Sequence, residues 1–398
     1  MLIQRADTRI PSYPRFAWVL WTSVLGLIVI GVLAIYSAKN GEPDQMRAAT
    51  FHGAFALTGL CIAGLMGLID YDIPARGAAI FYGFALGLLV LVLAIGVERF
   101  GAQRWLPLGP IQFQPSEVAK LAYIFMLAAY LSGPKVNLNS LKTLLVSLTL
   151  LIVPVGLILL EPDLGSSMVF FPVGLVMMYV GGIPKRYLAW VTGGSIFAIL
   201  VVLLQVLYVS DSWRFIELQP YQKDRLLTYF NIDFASMEET EEAKREARRR
   251  QSDLSYNVRQ ALISVGSGGL TGKGWLQSEQ VALNYLPKTV AHNDFIFSVV
   301  AEENGFLGSA LVIALYACLM WSGLFIANQA RDTLGKLLAT GIVTLWLSQV
   351  FINIGMNIGL TPVTGLPLPL LSYGGTATIS ALISIGILQN VYMYRKHI

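Results

Sequence analysis

Charge is scarce in this 398-residue sequence: Asp, Glu, Lys and Arg make up 13%, about half the share usual in a soluble domain. A water-soluble protein of this length needs far more charge to cover its surface, so a soluble multidomain enzyme is excluded. Cysteine is nearly absent. Cys61 and Cys318 are too few for a disulfide framework or a metal-ligand spacing, and both fall in apolar stretches, so they are expected as buried free thiols. His52, His292 and His397 are equally scattered. No P-loop, no G-x-G-x-x-G in a strand–helix setting and no nucleophile elbow occurs, which argues against an ATP-driven pump or a fused soluble enzyme.

What fills the chain instead is apolar: 55% of residues are hydrophobic, with a mean hydropathy of +0.62. Crossing a bilayer takes about 20 such residues in a helix. Ten stretches qualify, near residues 16–36, 47–69, 77–97, 115–131, 141–160, 164–180, 187–209, 295–328, 334–360 and 371–394. The fold class expected is an all-α polytopic membrane protein of about ten transmembrane helices, in one domain over residues 1–398. The first stretch is longer than the apolar core of a secretory leader, about 7–15 residues. With the N-terminus cytoplasmic, twelve Lys and Arg fall in the inner segments and four in the short outer loops. The positive-inside rule thus places both termini in the cytoplasm. The formal charge of +4 reflects that bias and gives no support to nucleic-acid binding.

Of the 52 charged residues, 23 lie between Asp211 and Asp294, so a large extracytoplasmic loop, about 210–293, is expected between the seventh and eighth helices. Within it, 237–251 reads M-E-E-T-E-E-A-K-R-E-A-R-R-R-Q, with glutamates leading and arginines following, which suits a short surface helix. Its charged face is solvated or meets headgroups or a partner. Residues 264–275 hold five glycines, whose amides can cradle an anion, with Lys273 to supply charge; a flexible re-entrant loop is the plainer reading. Lys223 and Arg225 stand upstream on the same side.

Ionisable groups at membrane depth are costly and therefore informative. Glu117 and Lys120 are three apart on one helical face, close enough to pair, either as a structural ion pair or as one lining a cavity with Lys120 turned to a phosphate. Asp163, after Pro162, can cap the sixth helix or serve a site. Asn353, Asn357, Thr361 and the S-Y-G-G run 372–375 read as helix-packing glue. Asp294, where the polar loop meets the eighth helix, can cap that helix or act as a general base at the membrane edge.

Taken in order, G-A-Q-R-W-L-P-L-G (101–109), Q-P-S-E-V-A-K (114–120), E-P-D-L-G-S-S (161–167), P-Y-Q-K-D-R-L, Y-N-V-R-Q-A, S-G-G-L-T-G-K-G-W, D-F-I-F-S-V-V-A-E-E-N-G-F and L-S-Y-G-G resemble the SEDS family (shape, elongation, division and sporulation) in its RodA/FtsW members. The resemblance covers essentially the whole chain. It implies a bacterial inner-membrane peptidoglycan glycosyltransferase that polymerises lipid II, in elongation and cell shape or in division, the short N-terminal tail leaning to the elongation type. It also implies a class B penicillin-binding protein as transpeptidase partner, beside other elongation or division proteins. This chain has no S-x-x-K followed by K-T-G of its own. The family's essential loop aspartate falls on Asp294, its intramembrane pair on Glu117 and Lys120, and its second helix-end aspartate on Asp163. Around Asp294 the sequence departs from the family: L-P-K-T-V-A-H-N-D-F-I-F is two residues longer, with Lys288 for an acidic residue and Asn293 for threonine.

Glycan extension asks for a base to take the acceptor hydroxyl's proton and for cations at the departing diphosphate. Asp294 is the candidate base; Arg104, Lys120, Arg225 and Lys273 are the candidate cations. A divalent cation, Mg or Mn, on Asp163 or Asp294 is allowed, although no ligand spacing demands it. Two other classes stay open: a lipid II flippase, which usually shows inverted repeats absent here, and a non-enzymatic scaffold of the cell-wall machinery.

Overall fold

The structure, a computed structural model, describes residues 16–99, 102–108, 111–208, 220–230, 232, 234 and 240–395. Among them nine helices are long and apolar enough to cross a membrane. These are α1 (Trp18–Ala38), α2 (Gln45–Leu68), α4 (Ala78–Ile95), α6 (Leu141–Leu160), α7 (Leu164–Gly181), α8 (Lys185–Tyr208), α13 (Ile296–Gln329), α14 (Thr333–Asn357) and α15 (Gly375–Met393). The tenth expected span is α5 (Pro115–Leu131), a shorter helix of 17 residues that carries Glu117 and Lys120 and is almost wholly buried. Local chemistry sets the ends. Ser140, Asp163 and Asp332 accept backbone N–H bonds at the starts of α6, α7 and α14, and α7 stops at Gly182 in the left-handed conformation.

Packing sorts the helices into centre and periphery. Within the membrane stretch, 78% of α14 is buried but only 6% of α8. Small residues let α2 and α15 approach closely: a Cβ at Gly386 would stand 2.6 Å from the Ala63 carbonyl oxygen. Cys61 and Cys318 are exposed on outward faces, which corrects the expectation of buried thiols. In a chain that spans a membrane, an apolar position is as readily covered by lipid as by protein.

Short elements gather at one end of the bundle, here called the loop end. Between α4 and α5 the chain forms an antiparallel sheet, β1 (Val97–Arg99), β2 (Ala102–Leu108) and β3 (Ile111–Phe113), with Val97 opposite Trp105 and Leu106 opposite Phe113. The segment after α8 supplies α9 (Pro220–Tyr229), α10 (Glu241–Ser267), α11 (Glu279–Ala282) and α12 (Lys288–Ala291). α10 runs 27 residues, so the short helix expected over 237–251 is instead the first half of a long one.

The glycine-rich segment clasps a break in α13. Gly305 has φ 64°, ψ −160°, outside the helical region, and the turn that it interrupts finds partners in that segment. The amides of Lys273 and Gly274 donate to the carbonyls of Glu302 and Glu303 (3.0 and 2.9 Å), and those of Phe306 and Leu307 donate to Gly269 and Leu270 (2.9 and 3.1 Å). Two amides expected to cradle an anion are thus spent on a helix kink.

At the opposite end α3 (Asp72–Arg76) follows α2, and Arg331, between α13 and α14, ties the loops together. Its guanidinium meets Asp70 at 2.9 Å, Asp72 at 2.5 Å and Asp332 at 3.2 Å, and lies over the rings of Tyr71 and Tyr394.

Candidate active site

A cavity of about 550 Å³ opens at the loop end. Arg104 and Trp105 of β2, Gln114, Asn293 and Asp294, Gly365 and Pro367, Tyr373, and Asn257 of α10 are among its lining residues. Every element of that wall comes from a different part of the chain, and the sheet matters most for charge because it aims Arg104 inward.

Asp163 holds that arginine from behind. It is 1% exposed, and its Oδ1 lies 3.4 Å from Arg104 Nη1. The same carboxylate accepts from the Ser166 amide (3.0 Å), the Ser166 hydroxyl (2.8 Å) and Gln114 Nε2 (3.0 Å). Asp163 therefore caps α7 and at the same time holds two residues of the cavity wall. Next to it Glu161 is fully buried, with neither carboxylate oxygen bonded among the described residues. Burial above all, with the nearby Asp163 charge added and Arg104 opposing, pushes its carboxyl up to about 9, so it stays protonated at neutral pH.

Asp294 is set by polar side chains that the sequence presents as helix glue. Asn353 and Asn357 of α14 each donate to its backbone carbonyl at 3.1 Å, and Asn357 also accepts from Ser298. Ser372, in the S-Y-G-G turn, donates to the Asn293 carbonyl at 2.6 Å, and the Tyr373 amide donates to that of His292 at 3.0 Å. The stretch before Asp294 forms α12, whose Val290 carbonyl accepts the Asp294 amide (3.0 Å); Lys288 there pairs with Glu42 at 3.5 Å. His292 donates from Nδ1 to the Lys288 carbonyl at 2.7 Å, and burial lowers its pKa to about 4, so it braces this turn as a neutral ring. α13 begins after Phe295 with no side-chain cap, so Asp294 does not cap it.

Gly365 brings the two charges into one view. A Cβ built there would lie 3.7 Å from an Arg104 guanidinium nitrogen and 3.8 Å from an Asp294 carboxylate oxygen, and the backbone adopts φ +72°. Only glycine fits that conformation without strain and leaves the space between cation and carboxylate open. Arg104 Nε and Asn293 Oδ1 lack a partner among the described residues. A negatively charged or hydroxyl-bearing ligand entering beside Gly365 would find one carboxylate and one guanidinium.

The other sequence candidates fall elsewhere. Glu117 and Lys120 do pair, at 2.6 Å and almost fully buried, but neither lines the cavity; Pro367 and Ala377 stand between it and Glu117. Lys120 is thus not exposed to a ligand in that space. Lys273 pairs with Glu302 (2.8 Å) and Glu279 (3.1 Å) beside the kink, outside the cavity. Burial would lower its pKa, but those carboxylates carry it upward, holding the cation where it is. Glu302 is filled further by Ser278 and the amides of Glu279 and Gln280. Arg225 belongs to α9, whose Thr228 and Tyr229 reach the cavity, but its side chain lies outside the described residues. Among the described residues no three His, Cys, Asp or Glu converge on a metal position. The Asp163 oxygens are already taken by four donors, a poor fit for a divalent cation.

Gln114, Glu161, Asn293 and Tyr373 were not singled out from sequence. Q-P-S-E, E-P-D-L and S-Y-G-G carry three of them, but nothing in a linear run says which side chain turns toward a cavity.

The sequence and the fold have counterparts. Residues 15–397 match the family model FtsW/RodA/SpoVE, described as "Cell cycle protein". The peptidoglycan glycosyltransferase MrdB of Escherichia coli K12 is 35% identical over 373 residues, covering 94% of this chain and 92% of its own length. A chain from a structure titled "Structural coordination of polymerization and crosslinking by a peptidoglycan synthase complex" superposes with TM-score 0.76 at 28% identity, covering 96% of this chain and 99% of that one. The crystal structure of the rod shape determining protein RodA of Thermus thermophilus superposes with TM-score 0.68 at 27% identity, over 97% of this chain and all of that one.

Proposed function

Because this chain belongs to the FtsW/RodA/SpoVE family and is a peptidoglycan glycosyltransferase of cell-wall synthesis, we propose that the Asp294–Arg104 cavity is where it polymerises lipid II. Asp294 takes the proton from the acceptor sugar hydroxyl as that oxygen attacks the anomeric carbon of the donor. The bond from that carbon to the diphosphate oxygen breaks with its electron pair going to the diphosphate, and Arg104, held by Asp163, stabilises the charge that develops there. Direct displacement inverts the anomeric centre. No step here is routed through a metal ion.

The observation that carries this reading is the shared approach of Arg104 and Asp294 to the open point at Gly365. A base and an anion-stabilising cation facing one small volume is what displacement of a diphosphate by a hydroxyl requires. The flippase reading asks for a path between leaflets, whereas every residue lining this cavity belongs to the loop end and the opposite end is tied by Arg331. In this reading the loop end is extracytoplasmic, both termini are cytoplasmic in a bacterial inner membrane, and the whole chain is one catalytic domain. A class B penicillin-binding protein supplies crosslinking, in keeping with the polymerization–crosslinking complex to which one structural counterpart belongs.

Purified protein reconstituted with lipid II, alone and with such a partner, is expected to yield glycan strands on a gel, and Asp294→Asn to abolish them while melting at the same temperature. Strands from the variant at wild-type rate would remove Asp294 from the chemistry. Transfer of lipid II between leaflets with no polymer would favour the flippase.

A further inference from the structure

α10 has two functional faces, and only one belongs to the cavity. Asn257 and Val258 turn into it. The face opposite carries Arg245, Arg248, Arg249, Ser252, Tyr256 and Arg259, all exposed and spaced by three or four residues, hence on one stripe. Among the described residues no ion pair joins these four arginines to a carboxylate, whereas Arg250, off the stripe, reaches Asp224 at 4.0 Å. Four guanidiniums without a carboxylate partner among the described residues, over about 21 Å of helix, make a surface suited to anions.

The ends of α10 say what lies beside it. Near its start Ala247 packs with Leu227 and Phe234, and Val202, inside the apolar stretch of α8, packs against that cluster. At its other end Gly268 abuts the backbone of Ala301 and Glu302, just above the exposed apolar run Phe306, Leu307 and Leu311 of α13. Both ends are therefore tied where apolar spans end, so the helix, about 40 Å long, runs along the membrane surface. Exposed Ile263 and Leu270 continue the arginine stripe toward that bilayer-facing surface.

We infer that the arginine stripe of α10 binds the phosphate headgroups of anionic phospholipids in the leaflet at the loop end. Arginine stems lie along apolar surface while their guanidiniums meet phosphates, and an in-plane helix with basic residues on one face is the arrangement that recruits such lipids. The stripe faces away from the cavity, so it does not compete for the substrate diphosphate. Headgroup contact holds the outer side of a cavity wall in place. This stands whether or not Asp294 is the base.

The test is amide hydrogen exchange of the full chain in nanodiscs of phosphatidylcholine alone and with roughly a third phosphatidylglycerol. Peptides over 245–259 are expected to exchange about five-fold more slowly in the anionic discs. The difference should vanish in about 0.5 M NaCl and in the variant Arg245→Gln, Arg248→Gln, Arg249→Gln, Arg259→Gln. The matching four-fold Arg→Lys variant, which keeps the charge, should retain most of it, and it serves if the Gln variant does not fold. Equal exchange in the two wild-type discs overturns the proposal. So does slowing in neutral discs produced by inorganic phosphate alone, which would make the stripe a free-phosphate site, or by an added partner protein alone, which would make it a protein interface.

Discussion

Two arginines at opposite ends of the bundle show how the same side chain closes one region and leaves another open. Arg331 is surrounded by Asp70, Asp72 and Asp332 and lies against the rings of Tyr71 and Tyr394, so its charge is answered and its contacts hold three loops together. Arg104 is held from behind by Asp163 alone among the ion pairs of the described residues, keeps Nε unbonded, and looks across Gly365 at Asp294. Surplus carboxylate makes the first a tie. A cation placed opposite a second carboxylate, with room between, makes the second a place where charge can be received. The difference lies in the number of partners and the space in front, not in residue type.

The sharpest way to test that comparison is through its largest effect. Asp294→Asn keeps shape and removes the base, and is expected to lower polymerisation by about 10³-fold with no change in melting temperature. The buried Glu117–Lys120 pair should behave in the opposite sense. Losing either partner by Glu117→Ala or Lys120→Ala is expected to cost about 3–5 kcal/mol of stability, since a charge is left uncompensated in the interior. The double swap Glu117→Lys, Lys120→Glu should recover most of the melting temperature in detergent. A swapped protein that is stable yet inactive would show that the position of the cation matters to the reaction even though it does not line the cavity.

Arg331→Ala belongs with the closed end. It should lower stability by about 1–2 kcal/mol, as three partly exposed carboxylates lose their common partner, and leave turnover per folded molecule unchanged at low temperature. Arg104→Ala is expected to do the reverse: turnover down about 10²-fold, melting nearly unchanged. Equal behaviour of the two variants would dissolve the contrast between the ends.

The last effect is one of pH. The Glu161 carboxyl sits at about 9 in the folded protein against an ordinary 4.5. Across that window the folded state keeps a proton that the unfolded state releases, so stability falls as pH rises. Glu161→Gln removes this slope: variant and wild type should melt alike near the bottom of the window, and the variant should hold better toward its top. Parallel melting curves across the range would mean that Glu161 is hydrated and ionised.

The helical spans were legible because they rest on a one-dimensional property, about 20 successive residues too apolar for water. α5 is the telling case. At 17 residues with two charges it is marginal by composition, and it survives because it sits inside the bundle, not against lipid. Asp294, Asp163 and Arg104 were also visible as charges beside apolar stretches. Lys120 and Lys273 lie outside the cavity, each held by a carboxylate. The Lys120 partner, Glu117, is on its own helix and was legible, whereas the Lys273 partner, Glu302, is 29 residues away on α13 and was not.

Sequence alone determined that this chain spans a membrane, which stretches do so, and which few charges stand out against that background. Tertiary structure alone decided which of those charges face one another. It turned a glycine-rich run into a clasp for a kinked helix and two asparagines into supports for the turn that carries Asp294, and it lined four exposed arginines along one face of α10. Hydropathy adds up along the chain, residue by residue. A site depends on directions and distances between segments far apart in sequence, and those exist only once the helices have packed.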